Sequence, residues 1–352
     1  MKKITFFIGT LLEGGAERVV SILSDKIAEK GFEVEIVKYF DSENFYKLNE
    51  NVKVLAVENE TKNQNVFFNI KWLRKHFENS DLIISFLAPF NMLALYANKN
   101  NKTPIIVADR NDPNRIPNKA ILRKIRNYLY EKYADRVIVQ TNANKDYFSL
   151  KTQNKSVVIA NPVTMDEYIG KALESNKTNT IVTVGRLMPQ KNQLMLIDAF
   201  NELRNKYKNY KLIIYGEGSY RDELENRINE LNLNDSVILP GKQKDIFDKI
   251  KDAKLFVLSS DYEGMPNALI EAMCLGLPVI STKVSGANEL IQDGYNGLLI
   301  NNDKNELVNA IDRLLSDDSL REELGRNAIK LNEDLNVDAI TDKWLETINE
   351  VL

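Results

Sequence analysis

Cysteine and histidine are almost missing from this chain: among 352 residues there is one of each, Cys274 and His76. A lone cysteine excludes a disulfide framework and a cysteine-rich zinc site, and suits a reducing compartment. A lone histidine closes off mechanisms that need two, such as HExxH metal hydrolysis. Long apolar runs are missing as well, since no segment approaches the ~20 residues that a membrane span requires. The opening MKKITFFIGTLLEGGAERVV sets two lysines before an apolar run. That run is short and breaks at Glu13-Gly14-Gly15 with no small-residue cleavage site, so it reads as a first strand and loop rather than a secretory signal. Neither GxxxxGK[ST] nor GxGxxG with an acidic partner ~20 residues on is present, which argues against a Walker-type nucleotide site and a dinucleotide oxidoreductase. There is no short-period repeat and no low-complexity segment. The expectation is a soluble, cytoplasmic protein of two domains.

Net charge is −3, but it is unevenly spread. Residues 1–165 hold 25 Lys+Arg against 18 Asp+Glu, and the remainder holds 22 against 32. A basic half joined to an acidic half points to one domain meeting an anionic partner: a membrane surface, a phosphate-bearing substrate or nucleic acid.

Short Val/Ile-rich runs alternate with helical patterns throughout. Strands are expected at 4–9, 34–39, 81–86, 104–109, 136–141 and 156–160, and again at 180–185, 211–216, 236–241, 253–259, 277–282 and 297–300. Near-continuous apolar runs between helices indicate parallel strands covered on both faces. The fold class is therefore α/β, doubly wound, occurring twice. The seam falls near Asn161-Pro162, where proline cannot continue a ladder, and the polar run ALESNKTN follows. Expected domains are 1–164 and 165–335, with a terminal helix over 336–352 whose Trp344 packs back on the first. Open parallel sheets bind ligands beyond the carboxyl ends of their strands, so the residues there are the ones to examine.

Three loops stand out. In GTLLEGGAERVV, Gly14-Gly15 leads straight into a helix, which lets backbone approach a ligand and offers N–H groups to an anion; a plain turn is the competing reading. In VGRLMPQKNQLMLIDAF, Arg186 and Lys191 follow a strand and precede a helix, where a planar fork and a mobile point charge suit a diphosphate; a pair of solvated surface cations is the competing reading. In EGMPNALIEAMCLGLPVI, Glu263 lies in a loop and Glu271 one turn into a helix, with seven residues between them. Pro266 is expected at the first helical position, with the amides of Asn267, Ala268 and Leu269 pointing out of the helix end. Carboxylates accept hydrogen bonds from hydroxyls, so a sugar and a ribose fit the pair; an acid–base pair for glycoside hydrolysis and simple helix decoration stay open.

Taken together, in order and spacing, GGAER, GRLMPQKN and EGMPNALIEA resemble glycosyltransferase family 4. The last matches that family's E-x7-E motif, and the resemblance covers nearly the whole chain. It is most similar to the branch that extends lipid-linked oligosaccharides for bacterial surface glycans or protein glycosylation. The resemblance implies a GT-B fold, two Rossmann-like domains facing a central cleft, and a retaining, metal-independent transferase using a nucleotide-activated sugar, expected to be UDP-linked. It implies that the first domain takes the acceptor and the second the donor. By the same token Arg186 and Lys191 hold the donor diphosphate, Glu263 the hexose hydroxyls and Glu271 the ribose. Gly264, Met265, Pro266 and Asn267 contact sugar and phosphate through their backbone, Gly14 and Gly15 close over the diphosphate, and Gly241-Lys242 lies near the base. The acceptor is expected to be a polyprenyl-diphosphate glycan; a soluble acceptor such as a sugar phosphate, and a non-catalytic sugar-nucleotide binder, are the alternatives. No metal ion and no nucleic acid are implied.

The chain departs from the family pattern at one position. Many relatives carry a histidine after the strand that reads PIIVADRNDP here, where this chain has Arg110 between Asp109 and Asn111. Arginine cannot carry a proton at neutral pH, so its role is expected to be electrostatic, oriented by Asp109 on the acceptor side. His76 occupies no matching position and reads as a surface or packing residue.

The stretch NKAILRKIRNYLYEKYADR, 118–136, reads as a helix with interleaved cations and apolar residues. Lys119, Arg123, Lys124, Arg126 and Lys132 are expected to face anionic headgroups at the inner face of the cytoplasmic membrane, while the apolar side buries in the domain; nucleic-acid binding and a plain solvated face are the competing readings.

Overall fold

A computed structural model describes residues 1–62, 65–115 and 117–352. The chain divides into two compact units, Met1–Pro162 with Asn336–Leu352, and Val163–Leu335.

The first unit is built on seven parallel strands: β1 (Lys3–Ile8), β2 (Glu33–Lys38), β3 (Lys53–Ala56), β4 (Leu82–Phe86), β5 (Ile105–Ala108), β6 (Arg136–Val139) and β7 (Ser156–Val158), in the order β3-β2-β1-β4-β5-β6-β7. Every residue of β4 and β5 is buried, as expected of central strands with helices on both faces. Strand β3 has no counterpart among the expected strands. KVLA is four residues at the sheet edge with Lys53 exposed, so it lacks the continuous apolar signature of the others. The terminal helix Val337–Val351 belongs to this unit. Its Trp344 is fully buried and stacks on Phe86 with ring centroids 5.6 Å apart.

The second unit has six parallel strands: β8 (Thr180–Val184), β9 (Lys211–Tyr215), β10 (Val237–Gly241), β11 (Leu255–Leu258), β12 (Val279–Thr282) and β13 (Leu298–Ile300), in the order β10-β9-β8-β11-β12-β13. A core of buried Ile, Leu and Phe joins these strands to the helices Gln193–Leu203 and Lys304–Ser316. Strand order reverses between β8 and β11, and in the first unit between β1 and β4. At such a switch point neighbouring strands send their following loops apart, leaving a crevice at the carboxyl edge.

Candidate active site

In the second unit the loops after β8 and β11 meet at the switch point. After β8 come Gly185 and Arg186, a short turn Pro189–Lys191, and Asn192 at φ 47°, from which the helix Gln193–Leu203 starts. After β11 come Ser259, Ser260, Asp261, Tyr262 and Glu263. Lys191 Nζ lies 2.5 Å from Glu263 Oε1. The Ser260 hydroxyl donates to the same oxygen at 2.8 Å, and the Ser259 hydroxyl donates to the Lys191 carbonyl at 2.9 Å. Thr282 Oγ1, at the end of β12, donates to the Ser260 carbonyl at 2.6 Å. Gln190 Nε2 donates to Tyr262 O at 2.7 Å, and Asp261 N returns a bond to Gln190 O at 2.8 Å. The cation and the carboxylate are thus held by their loops as well as by each other. Their side chains are only 19% and 11% exposed, so water screens the attraction far less than at a surface pair.

Close packing makes room for this arrangement. A Cβ added to Gly185 would stand 3.4 Å from Lys191 Cε, so the ammonium lies over the end of β8. At Gly286 a Cβ would stand 2.4 Å from Gly264 O and 2.5 Å from Pro266 Cδ, so only glycine lets the helix Ser285–Leu290 support the EGMP loop. Ser259, Ser260, Thr282 and Gly286 had no signal of their own in the sequence; their importance comes from which strand ends are neighbours.

The other expected site residues fall as follows. Arg186 is exposed on the same loop as Lys191. Met265 and Pro266 are buried, and Gly264, Asn267 and Glu271 are partly so. The helix begins one residue later than expected, at Asn267. Pro266 is its N-cap with ψ 101°, an extended conformation that does not belong to a first helical turn. Leu269 N bonds to Pro266 O at 3.1 Å, so that amide is spent within the turn rather than offered outward. Cys274, three residues after Glu271, is fully buried, and burial pushes its thiol up to about 12, which leaves it inert. Gly241, at φ 78°, ends β10, two strands away from β8, and Lys242 follows it.

In the first unit, Gly14 is the extended N-cap and Gly15 the first residue of the helix Gly15–Glu29, and Tyr46 Oη donates to Gly14 O at 3.2 Å. Asp109 and Arg110 follow β5 and are both buried. Asp109, expected to orient Arg110, makes no hydrogen bond to it among the described residues. Its Oδ2 faces Arg126 Nη1 at 3.5 Å and accepts from Tyr130 Oη at 3.3 Å. Burial pushes the Asp109 carboxyl up to about 6, against the pull of Arg126 and Tyr130. Arg110 turns the other way, donating to Ile159 O at 3.4 Å and to Asn161 Oδ1. Burial lowers its pKa to about 9, which still leaves it protonated at neutral pH. Asn111 contributes its carbonyl to Asn144 Nδ2 at 3.4 Å.

Arg126 is a second correction. Rather than facing headgroups it is fully buried, bonded to Pro113 O at 3.2 Å, with its guanidinium carbon 5.2 Å from the Tyr147 ring centre and 5.1 Å from that of Phe148. On the helix Ala120–Tyr133 it lies on the sheet-facing side with Leu129 and Tyr130, which the alternation of cations and apolar residues alone did not reveal. His76 stacks on Trp72 at 4.5 Å and bonds to the buried Glu35 at 2.5 Å, so it is a packing residue.

Residues 13–167 match the family model Glycosyltransferase Family 4, and residues 164–331 match Glycosyl transferases group 1. Over its whole length the chain is 32% identical to a Campylobacter jejuni GalNAc-alpha-(1->4)-GalNAc-alpha-(1->3)-diNAcBac-PP-undecaprenol alpha-1,4-N-acetyl-D-galactosaminyltransferase, covering 99% of that protein. The chain belongs to glycosyltransferase family 4. This family 4 transferase is a retaining enzyme of the group 1 type. A second Campylobacter jejuni relative, an N-acetylgalactosamine-N,N'-diacetylbacillosaminyl-diphospho-undecaprenol 4-alpha-N-acetylgalactosaminyltransferase, is 30% identical over 91% of this chain and 92% of its own. Among solved structures, Anabaena HepE in complex with UDP superposes with a TM-score of 0.85 at 22% identity, covering 99% of this chain and 100% of that one. TarM superposes with a TM-score of 0.82 at 19% identity, covering 99% of each chain. The family 4 transferase therefore has the GT-B fold. No helix among its described residues is long and apolar enough to cross a membrane.

Proposed function

We propose that this transferase moves an N-acetylhexosamine or hexose from a UDP-sugar to a polyprenyl-diphosphate-linked glycan, with retention at the anomeric carbon. The observation that carries the reading is the Lys191–Glu263 pair at the β8/β11 switch point, a cation for phosphate and a carboxylate for hydroxyls 2.5 Å apart. The two Campylobacter relatives, whose names place their acceptors on undecaprenyl diphosphate, support the acceptor class. The UDP complex of HepE supports the donor class.

In this reading Arg186 and Lys191 take the donor diphosphate and stabilise charge as the leaving group departs. Lys191 exchanges part of its bond with Glu263 for phosphate oxygen, which releases the carboxylate toward the sugar hydroxyls. The bond from the anomeric carbon to the phosphate oxygen breaks, and a bond to the acceptor oxygen forms on the same face. The acceptor proton passes to the departing phosphate, so no protein base is assigned. Glu271 binds the ribose, residues 264–267 line the sugar and phosphate, and Gly241 and Lys242 complete the donor contacts of the second unit. No metal ion is assigned, the diphosphate charge being met by the two cations.

A thermal-shift panel of UDP, UDP-sugars, GDP-sugars and NAD tests the donor, because a ligand in excess stabilises the fold by mass action. A shift with UDP and UDP-sugars, and none with GDP-sugars or NAD, is expected; a response to GDP-sugars alone overturns the UDP assignment. Glu271→Ala is expected to raise the donor KM about tenfold with kcat little changed, as for a bond made equally in ground and transition states. Unchanged KM with reduced kcat would remove the ribose assignment.

The membrane reading rests on the outer face of the helix Ala120–Tyr133. Ile121, Ile125 and Tyr128 are 61%, 44% and 57% exposed there, and Lys124 and Lys132 flank them. Apolar residues at helical spacing with lysines beside them suit an interfacial helix on anionic lipid. Vesicle sedimentation is expected to show binding to phosphatidylglycerol over phosphatidylcholine, weakened several-fold by Ile125→Asp. Equal failure on both lipids overturns it.

A further inference from the structure

We propose that Arg110 is a positioning residue that clamps the segment by which the chain leaves the first unit, rather than a group that touches substrate. The first unit ends at Pro162 and the second begins at Val163. Arg110 sends two donors into the residues just before that point, to the carbonyl of Ile159 and to the side-chain oxygen of Asn161. Gln140, just after β6, donates to the same Asn161 oxygen at 2.9 Å. Ile159 N in turn bonds to Val139 O at 2.9 Å. The residues following β5, β6 and β7 therefore converge on 159–161, and Arg110 supplies the charge in the bonds that join them. Arg110, Gln140 and Asn161 are 7%, 3% and 5% exposed, so their bonds are made out of water, where losing one partner costs most. Arg110 Nε has no hydrogen-bond partner among the described residues, which shows the guanidinium aimed for the connector at some expense to its own satisfaction.

The geometry has a consequence for the reaction. The loop after β5 and the exit segment 159–162 move as one piece while this clamp holds. An arginine bonded in this way has a fixed fork with no capacity to shuttle protons, and Asp109 beside it is committed to Arg126 and Tyr130. The role is thus mechanical, and it goes beyond the donor assignment without depending on it.

Hydrogen–deuterium exchange of the peptide spanning 156–165, in the full chain, tests the clamp. Arg110→Ala and Asn161→Ala are each expected to speed exchange about tenfold, the worth of one charge-assisted buried bond. The double variant should exchange more slowly than the product of the two single effects, because the two variants share the Arg110–Asn161 contact. Asn161→Asp gives the guanidinium a charged acceptor and is expected to slow exchange several-fold, so the test survives if the alanine variants fold poorly. In parallel, UDP binding by calorimetry should stay within about twofold in every variant, and the rate of UDP release from UDP-GalNAc should fall with Asn161→Ala as it does with Arg110→Ala. If Arg110→Ala abolishes turnover while exchange at 156–165 is unchanged and Asn161→Ala is silent, Arg110 acts on substrate and the clamp is wrong. If wild-type protein fails to bind UDP, the donor reading fails, and the exchange data still decide the clamp.

Discussion

Lys191→Ala is expected to lower kcat by roughly 10²–10³-fold, the usual cost of removing one preorganised group that stabilises developing charge. The effect should fall on turnover more than on donor KM, because charge on the departing phosphate grows toward the transition state. The structure adds a second reason for a large loss. Without Lys191, Glu263 keeps only Ser260 among the partners described above, and a carboxylate 11% exposed in front of a diphosphate repels it. Lys191→Arg should recover only part of the loss, since a guanidinium cannot occupy the space over Gly185 that the slimmer ammonium fills. The measurement is initial rate against donor concentration at saturating acceptor. Transfer within about threefold of wild type would sink the phosphate role for this residue.

Arg126→Ala is expected to cost about 3–5 kcal/mol of unfolding free energy, because it strands a buried carboxylate. Arg126 and Asp109 have side chains 0% and 1% exposed, so neither water nor a mobile neighbour can replace the lost partner. The variant also loses the bond to Pro113 O and the contact with Tyr147 and Phe148. The pH dependence follows from Asp109, whose folded pKa is already raised to about 6. A carboxyl with a raised folded pKa favours folding below its unfolded pKa, and that contribution is lost as pH rises through the folded value. Removing Arg126 raises the folded pKa further, so the deficit of the variant should be smallest below about pH 6 and should grow toward pH 8. Urea unfolding at pH 5.5 and pH 8 measures both. A loss under about 1 kcal/mol, or a deficit larger at the acid end, would show that the pair is not the buried ion pair described here. Adding Asp109→Asn to Arg126→Ala should restore part of the stability by removing the stranded charge.

Much of the candidate site was legible before the fold because each motif is local. Arg186 and Lys191 sit on one loop, and Glu263 and Glu271 straddle one helix start, so short-range spacing is enough to find them. The shift of Pro266 from helix position to cap is a one-residue matter that depends on its ψ angle, which residue preference does not determine. Arg126 was misread for a different reason. On an amphipathic helix a long cationic side chain reads as solvent-facing by default, and only a buried carboxylate from another element reverses that. Asp109, which supplies it, lies 17 residues earlier at the end of β5.

By itself the sequence determined the doubly wound parallel class and the loops that carry charge, since these follow from apolar runs, turn residues and spacing within tens of residues, and it put the domain seam near Asn161-Pro162. The tertiary structure alone decided the pairings: Lys191 with Glu263 across 72 positions, Asp109 with Arg126, and Arg110 with Asn161 across 51. The reason is topological. Parallel strands joined by crossovers place next to each other the ends of segments far apart in the chain, and strand order, with its reversal between β8 and β11, is set by how the whole sheet packs rather than by any one stretch.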